Sequence, residues 1–344
     1  MKVTKIFVVI LILLILVAGG LLALKMFNKA QIQEANTNAV NETTQEEVVV
    51  QKPKTLSGDS RPIAVMIDNN INAMPQAGLL EADIIYEIIV EGGESRLMLI
   101  LQDKDLDKIG PIRSARHYFL DYALENDAIY VHYGWSPQAQ SDIKKLGINN
   151  INGITESSTS FWRANDKYAP HNAVSDMENV MKIAERKEYR TTSSMDSLFN
   201  YVEEVNLESE NSQTANAFSI EYSQANTVRY EYDAENKNYI RYSRGEKQVD
   251  WDTEEPVTVK NIVITKVENY DLNDGENKGR QTLSNIGTFD GYYITNGRVI
   301  PIKCTKDSRK EQTVYKDLEG NEIEVNDGNT FIQICPINSN IEFE

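Results

Sequence analysis

The sequence predicts an α+β protein, with a mixed α/β domain over residues 61–205 followed by a β-rich domain over residues 206–344. In the first part, short apolar runs typical of buried strands alternate with segments of helical spacing. From Phe218 onward, nearly every segment is a short alternating run bounded by turn residues, which is typical of a sandwich or a strongly curved sheet. A polar, loop-like stretch at residues 203–217 lies between the two parts.

An apolar N-terminal segment predicts attachment to a membrane. Residues 6–24 form a run of 19 residues without a charge, which as a helix would span about 28 Å, close to one hydrocarbon core. The run is longer than the apolar region of a secretory signal, and no clear small-residue cleavage site follows it. We therefore expect residues 1–29 to form an uncleaved single-pass anchor in the cell membrane, with the globular part extracytoplasmic; a cleaved signal is the alternative. Residues 30–60 are polar and lack aromatic side chains, so we expect a disordered stalk there.

Four buried strands are predicted in the first domain, of which the second and third form a hairpin around a glycine pair. These strands are Pro62–Asp68, Ala82–Val90, Ser95–Leu101 and Ala128–His132. Three helices are predicted from their starting residues: one follows Ser114, one follows Ser136 and one follows Ser175. Glu178 completes a capping box with Ser175.

Four short segments between Glu91 and Asn172 carry two of the three histidines and four arginines that indicate a site; the third histidine, His117, directly follows the second segment. They read EGGESR, GPIRSAR, VHYGWSP and FWRANDKYAPHN. Each segment falls where a strand or helix is predicted to begin or end, and side chains at such ends can converge on one cleft. The residues predicted to bind a ligand there are Arg96, Arg113, Ser114, Arg116, Trp135, Trp162, Arg163 and Asn172.

The segment GPIRSAR gives the most specific physical prediction. If Ser114 caps a helix, unpaired N–H groups and the positive end of the helix dipole lie beside Arg113 and Arg116, which together would bind an anion. The alternative is that both arginines pair with carboxylates of the same acidic domain.

Three residues are candidates for acid–base catalysis if the protein is an enzyme: Glu91, His132 and His171. A carboxyl group acts as a general acid or base when burial raises its pKa. The alternatives are a solvated glutamate at a turn and histidines that serve as structural hydrogen-bonding groups. No metal or other cofactor is predicted, because the histidines lack the H-E-x-x-H or H-x-H spacing of metal ligands.

Charge and cysteine content narrow the class of protein. The chain has 35 basic and 52 acidic residues, a formal net charge of −17, and such a field repels nucleic acid.

The two cysteines, Cys304 and Cys335, lie in predicted strands. They would form a disulfide if these strands are neighbours in an oxidising compartment, or stay as two buried thiols.

These motifs together resemble the YerB-like family of bacterial envelope proteins. The resemblance covers residues 61–336 and is carried by RPIAVMIDN, MPQAGLLEADIIYE, EGGESR, GPIRSAR, YVHYGWSPQA, FWR followed by APHN, NGRVIPIKC and YKDLEGNEIEVNDGNTFIQICP. Members of that family are commonly lipoproteins, whereas this chain has no cysteine near its apolar run, so we expect an anchor helix instead. The resemblance implies a mixed α/β first domain and supplies no established activity.

The leading hypothesis is therefore a membrane-anchored binding protein that holds an anionic envelope component, such as a wall glycan, a peptide carboxylate or a phosphate. One alternative is a peptidoglycan hydrolase that uses Glu91 and a histidine as acid and base. Another is a structural protein that docks onto another envelope protein, whose identity the sequence leaves open.

Overall fold

Strands dominate the fold, and only three α-helices lie in the part of residues 54–344 that the structure describes. The computed structural model describes residues 25–26, 54–193, 195–205 and 207–344. The helices are α1 (Phe119–Glu125), α2 (Pro137–Leu146) and α3 (Met177–Arg186).

The strands of the first half are β1 (Ile63–Asp68), β2 (Ile84–Ile89), β3 (Ser95–Leu101), β4 (Ile129–His132), β5 (Asn150–Asn152), β6 (Trp162–Arg163), β7 (Ala173–Val174) and β8 (Asn200–Val202). They continue with β9 (Gln213–Thr214), β10 (Ala217–Ser223), β11 (Asn226–Asp233), β12 (Asn238–Ser243), β13 (Glu246–Lys247), β14 (Thr258–Val259), β15 (Asn261–Val267) and β16 (Asn269–Asp271). The last are β17 (Gln281–Leu283), β18 (Gly287–Thr295), β19 (Arg298–Lys306), β20 (Val314–Lys316), β21 (Glu324–Asn326), β22 (Thr330–Pro336) and β23 (Ile341–Phe343).

One sheet of 11 strands runs through both predicted domains. Its order is β20-β19-β18-β15-β22-β2-β3-β1-β4-β5, and β9 pairs with β19 at one side. The predicted hairpin of β2 and β3 is present, with positive φ angles at Gly92 and Gly93 in its turn. Strand β22, close to the C-terminus, lies between β2 and β15 and is parallel to both. The chain thus returns from its second half to complete the sheet of its first half.

Both faces of the central strands of this sheet are buried, which explains their continuous apolar runs. A six-stranded sheet, β13-β12-β11-β10-β23 with β14 beside β12, and helix α3 contribute to the core on one face. Helices α1 and α2 contribute to the core on the other face. In β1, for example, Val65 belongs to the first core and its neighbour Met66 to the second.

These observations refine the predicted fold class and domain division. The protein is mostly β, with several sheets and few helices, so the mixed α/β character predicted for the first part is only partly present. Lys52–Glu344 forms one compact unit. Strand β22 of the second stretch pairs with β2 of the first, so the two stretches share one sheet. The boundary between residues 205 and 206 stays a prediction.

The helix starts were predicted with mixed success. Ser136 caps α2 as predicted, and its Oγ accepts a hydrogen bond from the backbone N–H of Ala139 at 3.1 Å. The cap of α3 is Asp176 rather than Ser175, whose hydroxyl instead donates to the carbonyl of Ser160 at 2.7 Å. Ser114 caps no helix, because α1 begins only at Phe119.

The predicted anchor, residues 1–29, lies outside the described residues except for residues 25 and 26. Within the described part of the chain, no helix is long and apolar enough to cross a membrane. The end of the predicted stalk is ordered rather than disordered. Its backbone and side chains are held against the globular part, with Thr55 Oγ1 donating to Asp327 Oδ1 at 2.8 Å and the N–H of Gly58 to Gln102 Oε1 at 3.0 Å.

Of the two alternatives for the cysteines, a disulfide or two buried thiols, the fold contains two buried thiols. Cys304 on β19 and Cys335 on β22 are both free and buried. Strands β18 and β15 lie between the two strands that carry the cysteines. The backbones at Cys304 and Cys335 are therefore roughly 14 Å apart, about twice the largest Cα separation that a disulfide spans. Burial raises the pKa of each thiol to about 12, so both stay protonated and unreactive.

Candidate functional site

Several predicted site residues converge on one cleft of about 350 Å³, which we call the arginine cleft. Its lining combines five cationic, three acidic and four other side chains: Arg96, Arg113, Arg116, Lys278, Arg280, Asp68, Glu91, Glu94, Asn70, Val90, Ser95 and His171. The segments EGGESR and GPIRSAR thus meet in space, as the sequence predicted, and His171 joins them from FWRANDKYAPHN.

Strand ends position these side chains. Asp68 ends β1, and its register partner Arg96 is the second residue of the antiparallel neighbour β3. Glu91 lies in the one-turn 3-10 segment Glu91–Gly93 that connects β2 to β3. Arg113 follows a short backbone pairing of Ile112 with β1, which brings its segment alongside the same strand end.

Glu91 is held by two arginines. Its two carboxylate oxygens accept from Nε and Nη2 of Arg116 at 2.5 and 2.9 Å, and Nη2 of Arg96 lies 3.8 Å away. Burial alone would raise the pKa of Glu91, but the hydrogen bonds and charge of Arg116, together with the charge of Arg96, lower it. Glu91 therefore stays ionised at neutral pH and is poorly suited to be a general acid.

Arg96 is a buried cation with spare hydrogen-bonding capacity. It is 6% exposed. Among the described residues, its side chain forms one hydrogen bond, in which Nη1 donates to the carbonyl oxygen of Ser114 at 2.5 Å. Burial and the neighbouring Arg116 lower its pKa to about 10, so it remains charged at neutral pH. A guanidinium carries five N–H donors, which leaves several of them for a ligand in the cleft.

Asp68 organises the opposite wall of the cleft. Its Oδ2 lies 3.1 Å from Nε of Arg113 and 2.8 Å from Nδ1 of His171. A carboxylate oxygen accepts hydrogen bonds, so in the tautomer of His171 that donates from Nδ1 to Asp68, Nε2 is an acceptor. The terminal nitrogens of Arg113 have no hydrogen-bonding partner among the described residues and are open to a ligand.

A third side of the arginine cleft comes from the second half of the chain and was not predicted from the sequence. Lys278 and Arg280 lie in the loop between β16 and β17 and line the cleft. Arg280 is fixed there by Asp274 and by Glu276, the latter at 2.9 Å. The sequence around these residues indicated only a surface loop, since nothing local shows that it folds over residues about 180 positions earlier.

His132 lies outside the arginine cleft and is a structural residue. It is fully buried, with Nδ1 2.7 Å from the carbonyl oxygen of Gly134 and Nε2 3.2 Å from Oδ1 of Asn150. Burial lowers its pKa, so the ring is neutral. Trp135 packs against this ring, with centroids 5.4 Å apart. Neither residue lines the cleft, in contrast to the prediction.

The remaining predicted ligand-binding residues also lie outside the cleft lining. Nη1 of Arg163 donates to Oδ1 of Asn172 at 3.0 Å, and its guanidinium lies 4.7 Å from the ring centroid of Tyr133. Asn172 is buried and donates to backbone carbonyls of its own loop. Together with Trp162, which lies on β6, these residues belong to the β6–β7 hairpin whose loop presents His171.

Ser114 contributes to the cleft through its backbone rather than as a helix cap. Its carbonyl oxygen accepts from Arg96, and its hydroxyl donates to the carbonyl oxygen of Tyr133 at 3.0 Å. The helix start predicted at Ser114 is therefore wrong, because α1 begins five residues later. The arginines on either side of Ser114 do line a cleft, and both also pair with acidic side chains, as the alternative predicted.

Comparison with known proteins gives consistent matches along most of the chain. Residues 50–190 match the family described as "Protein of unknown function (DUF3048) N-terminal domain", and residues 218–332 match the corresponding C-terminal domain. A protein of Bacillus subtilis (strain 168) named "Putative lipoprotein YerB" is 31% identical over 257 residues, which is 72% of this chain and 77% of that protein.

The fold matches a solved structure as well. The crystal structure of the YerB protein from Bacillus subtilis superimposes with a TM-score of 0.72 at 28% sequence identity. The match covers 83% of this chain and 94% of the other.

Proposed function

We propose that this chain, which belongs to the DUF3048 family, is an envelope protein that binds an anionic envelope component in its arginine cleft. One observation carries the proposal: five cationic and three acidic side chains line the cleft of a protein whose formal net charge is −17. A cationic cleft in an acidic protein attracts anions locally. Guanidinium groups bind carboxylate and phosphate groups through paired hydrogen bonds.

The location outside the cytoplasm is part of the same proposal. The relative from Bacillus subtilis is named as a lipoprotein, which supports a place at the membrane. The apolar run at residues 6–24 supports attachment through residues 1–29. The ligand would then be a component of the cell envelope, such as a wall glycan, a peptide carboxylate or a phosphate.

Arg96 and Arg113 supply the open donors in this proposal. Arg116 is already bound to Glu91 through two nitrogens, and Arg280 is bound to two acidic side chains. Arg113 has its terminal nitrogens open, and Arg96 is desolvated before any ligand arrives. A charge in a desolvated position interacts more strongly with an incoming anion than one in water.

Replacing Arg113 by alanine should weaken binding of the protein to purified cell walls by about tenfold or more, since a hydrogen bond to a charged group contributes about 1.5–3 kcal/mol. Cosedimentation with purified walls measures this. Competition by inorganic phosphate and by acetate then shows whether the bound group is a simple anion.

The matched control is Arg163→Ala. Arg163 is an exposed arginine of the same half of the chain that lies outside the cleft lining, and its removal should leave wall binding unchanged. Equal retention of the wild type and of both variants would contradict the proposal.

The hydrolase alternative loses support from the geometry. Its proposed acid, Glu91, has a lowered pKa and binds two arginines, and His132 lies outside the cleft. In zymography on peptidoglycan, we expect neither the wild type nor Glu91→Gln to clear the gel at any pH between about 5 and 8. Clearing by the wild type that disappears in Glu91→Gln would instead favour the hydrolase.

A further inference from the structure

A second depression adjoins the arginine cleft and shares His171 with it. This depression, which we call the side groove, has a volume of about 770 Å³. Cavities of several hundred Å³ lined by apolar groups with a few polar ones are typical ligand sites. The apolar and aromatic side chains that line the side groove are Ile71, Met74, Pro75, Tyr168, Val249 and Trp251. The cleft and the groove thus form two adjoining compartments, one cationic and one whose lining mixes these apolar side chains with polar and charged ones.

The side groove exposes large apolar groups. Tyr168 is 88% exposed and Ile71 is 54% exposed, so the face that they form is open to a partner. Trp251 is different. Its Nε1 donates to Asp166 at 2.8 Å, and the ammonium groups of Lys108 and Lys167 lie 4.5 and 4.0 Å from its ring centroid. Its ring is therefore a fixed wall already covered by cations rather than an open platform for stacking on a sugar.

His171 connects the two compartments chemically. Its Nδ1 lies 2.8 Å from Oδ2 of Asp68, and in the tautomer that donates from Nδ1, Nε2 is an acceptor. No described residue forms a hydrogen bond with Nε2. An acceptor beside two guanidinium groups with open donors suits a ligand that carries an N–H donor close to its anionic group. A peptide with a free C-terminal carboxylate has this arrangement, because the amide N–H of its last residue is three bonds from the carboxylate oxygens.

We infer that the cleft and the side groove together bind a peptide that ends in a free carboxylate. The carboxylate binds Arg96 and Arg113, the last amide N–H donates to Nε2 of His171, and the preceding apolar side chains pack against Ile71 and Tyr168. This inference rests on the proposed function, because it uses the same anion site. It adds the ligand class and a second contact surface.

Fluorescence anisotropy with the full chain in detergent tests the inference. The probes are a labelled hexapeptide of apolar residues with a free carboxylate, the same peptide with a C-terminal amide, and unlabelled N-acetylalanine as a short competitor. We expect amidation to weaken binding by about tenfold or more, because it removes the charge that the arginines contact. The combined variant Ile71→Ala and Tyr168→Ala should weaken peptide binding by about three- to tenfold and leave competition by N-acetylalanine unchanged.

Leu318→Ala is the matched control, because Leu318 is exposed to a similar degree, 51%, and lies in another depression. Equal affinity for the acid and amide peptides, or no effect of the groove variants, would overturn the inference. If N-acetylalanine binding depends on Arg113 while lengthening the peptide adds nothing, the peptide inference fails and the proposed anion site stands. If no carboxylate or phosphate binds, both fail. Binding of an anionic wall glycan in preference to the peptide would also overturn the inference.

Discussion

Replacing Arg241 by methionine is expected to lower the free energy of unfolding by about 3–5 kcal/mol. Arg241 on β12 is completely buried, and its Nη2 donates to Oε2 of Glu87 on β2 at 2.6 Å. Its Nε donates to the hydroxyl of Tyr230 at 3.2 Å. Without Arg241, the carboxyl group of Glu87 would be left without its cation in a closed space, which is the costly way to break a buried ion pair.

This pair also supports the floor of the arginine cleft. Oε1 of Glu87 accepts from Asn69 at 3.1 Å and from Ser95 at 2.7 Å, and these two residues adjoin Asp68 and Arg96. We therefore expect Arg241→Met to weaken anion binding as well as stability, although the side chain does not line the cleft. Urea denaturation of the protein, followed by circular dichroism, measures the stability change.

Arg229→Met is the control for that measurement. Arg229 lies on the neighbouring strand β11 and pairs with Glu344 and Glu231 at the surface, where such pairs contribute about 0–1 kcal/mol. The double variant Glu87→Gln with Arg241→Met should recover part of the loss, since no unpaired charge remains. If Arg241→Met lowers the free energy of unfolding by less than about 1 kcal/mol, the buried Glu87–Arg241 pair is not what holds the six-stranded sheet against the 11-stranded sheet.

Replacing Lys306 by methionine is expected to cost about 3 kcal/mol, the lower end of the range for breaking a buried pair. Lys306 on β19 is 1% exposed, and its Nζ donates to Oε2 of Glu125 at 2.7 Å and to the carbonyl oxygen of Glu311 at 2.7 Å. The effect should be smaller than for Arg241, because Glu125 keeps hydrogen bonds from Tyr86 and from Thr313 after the lysine is lost.

Lys303→Met provides the comparison for this second variant. Lys303 is on the same strand, but its side chain is half exposed and pairs with Asp290 at the surface, so its replacement should change the unfolding free energy by less than about 1 kcal/mol. Thermal unfolding of both variants beside the wild type gives the difference. Similar melting temperatures for Lys303→Met and Lys306→Met would argue that the Glu125–Lys306 pair contributes no more than a surface pair.

Local sequence signals predicted those features whose cause is local. The hairpin of β2 and β3 follows from two glycines at positive φ between apolar runs, and the start of α2 follows from a serine cap and a proline in the first turn. Ser114 has the same cap chemistry as Ser136 but caps nothing. The backbone around it is already paired, with the N–H of Arg113 donating to Met66 and that of Ala115 to Gly134. Such tertiary backbone bonds leave no room for a helix before Phe119.

The sequence by itself determined that the chain has buried strands, a mostly β second half, and arginines and acids grouped in short segments near strand ends. The tertiary structure decided which of those groups meet. Strand β22 pairs with β2 and so makes the two halves one sheet, and the β16–β17 loop brings Lys278 and Arg280 to Arg96 and Arg113. The same packing encloses His132 in the core and leaves His171 between the cleft and the side groove. The physical reason is that periodicity and caps act over a few residues, whereas convergence on a cleft depends on strand order, which contacts far apart in the chain determine.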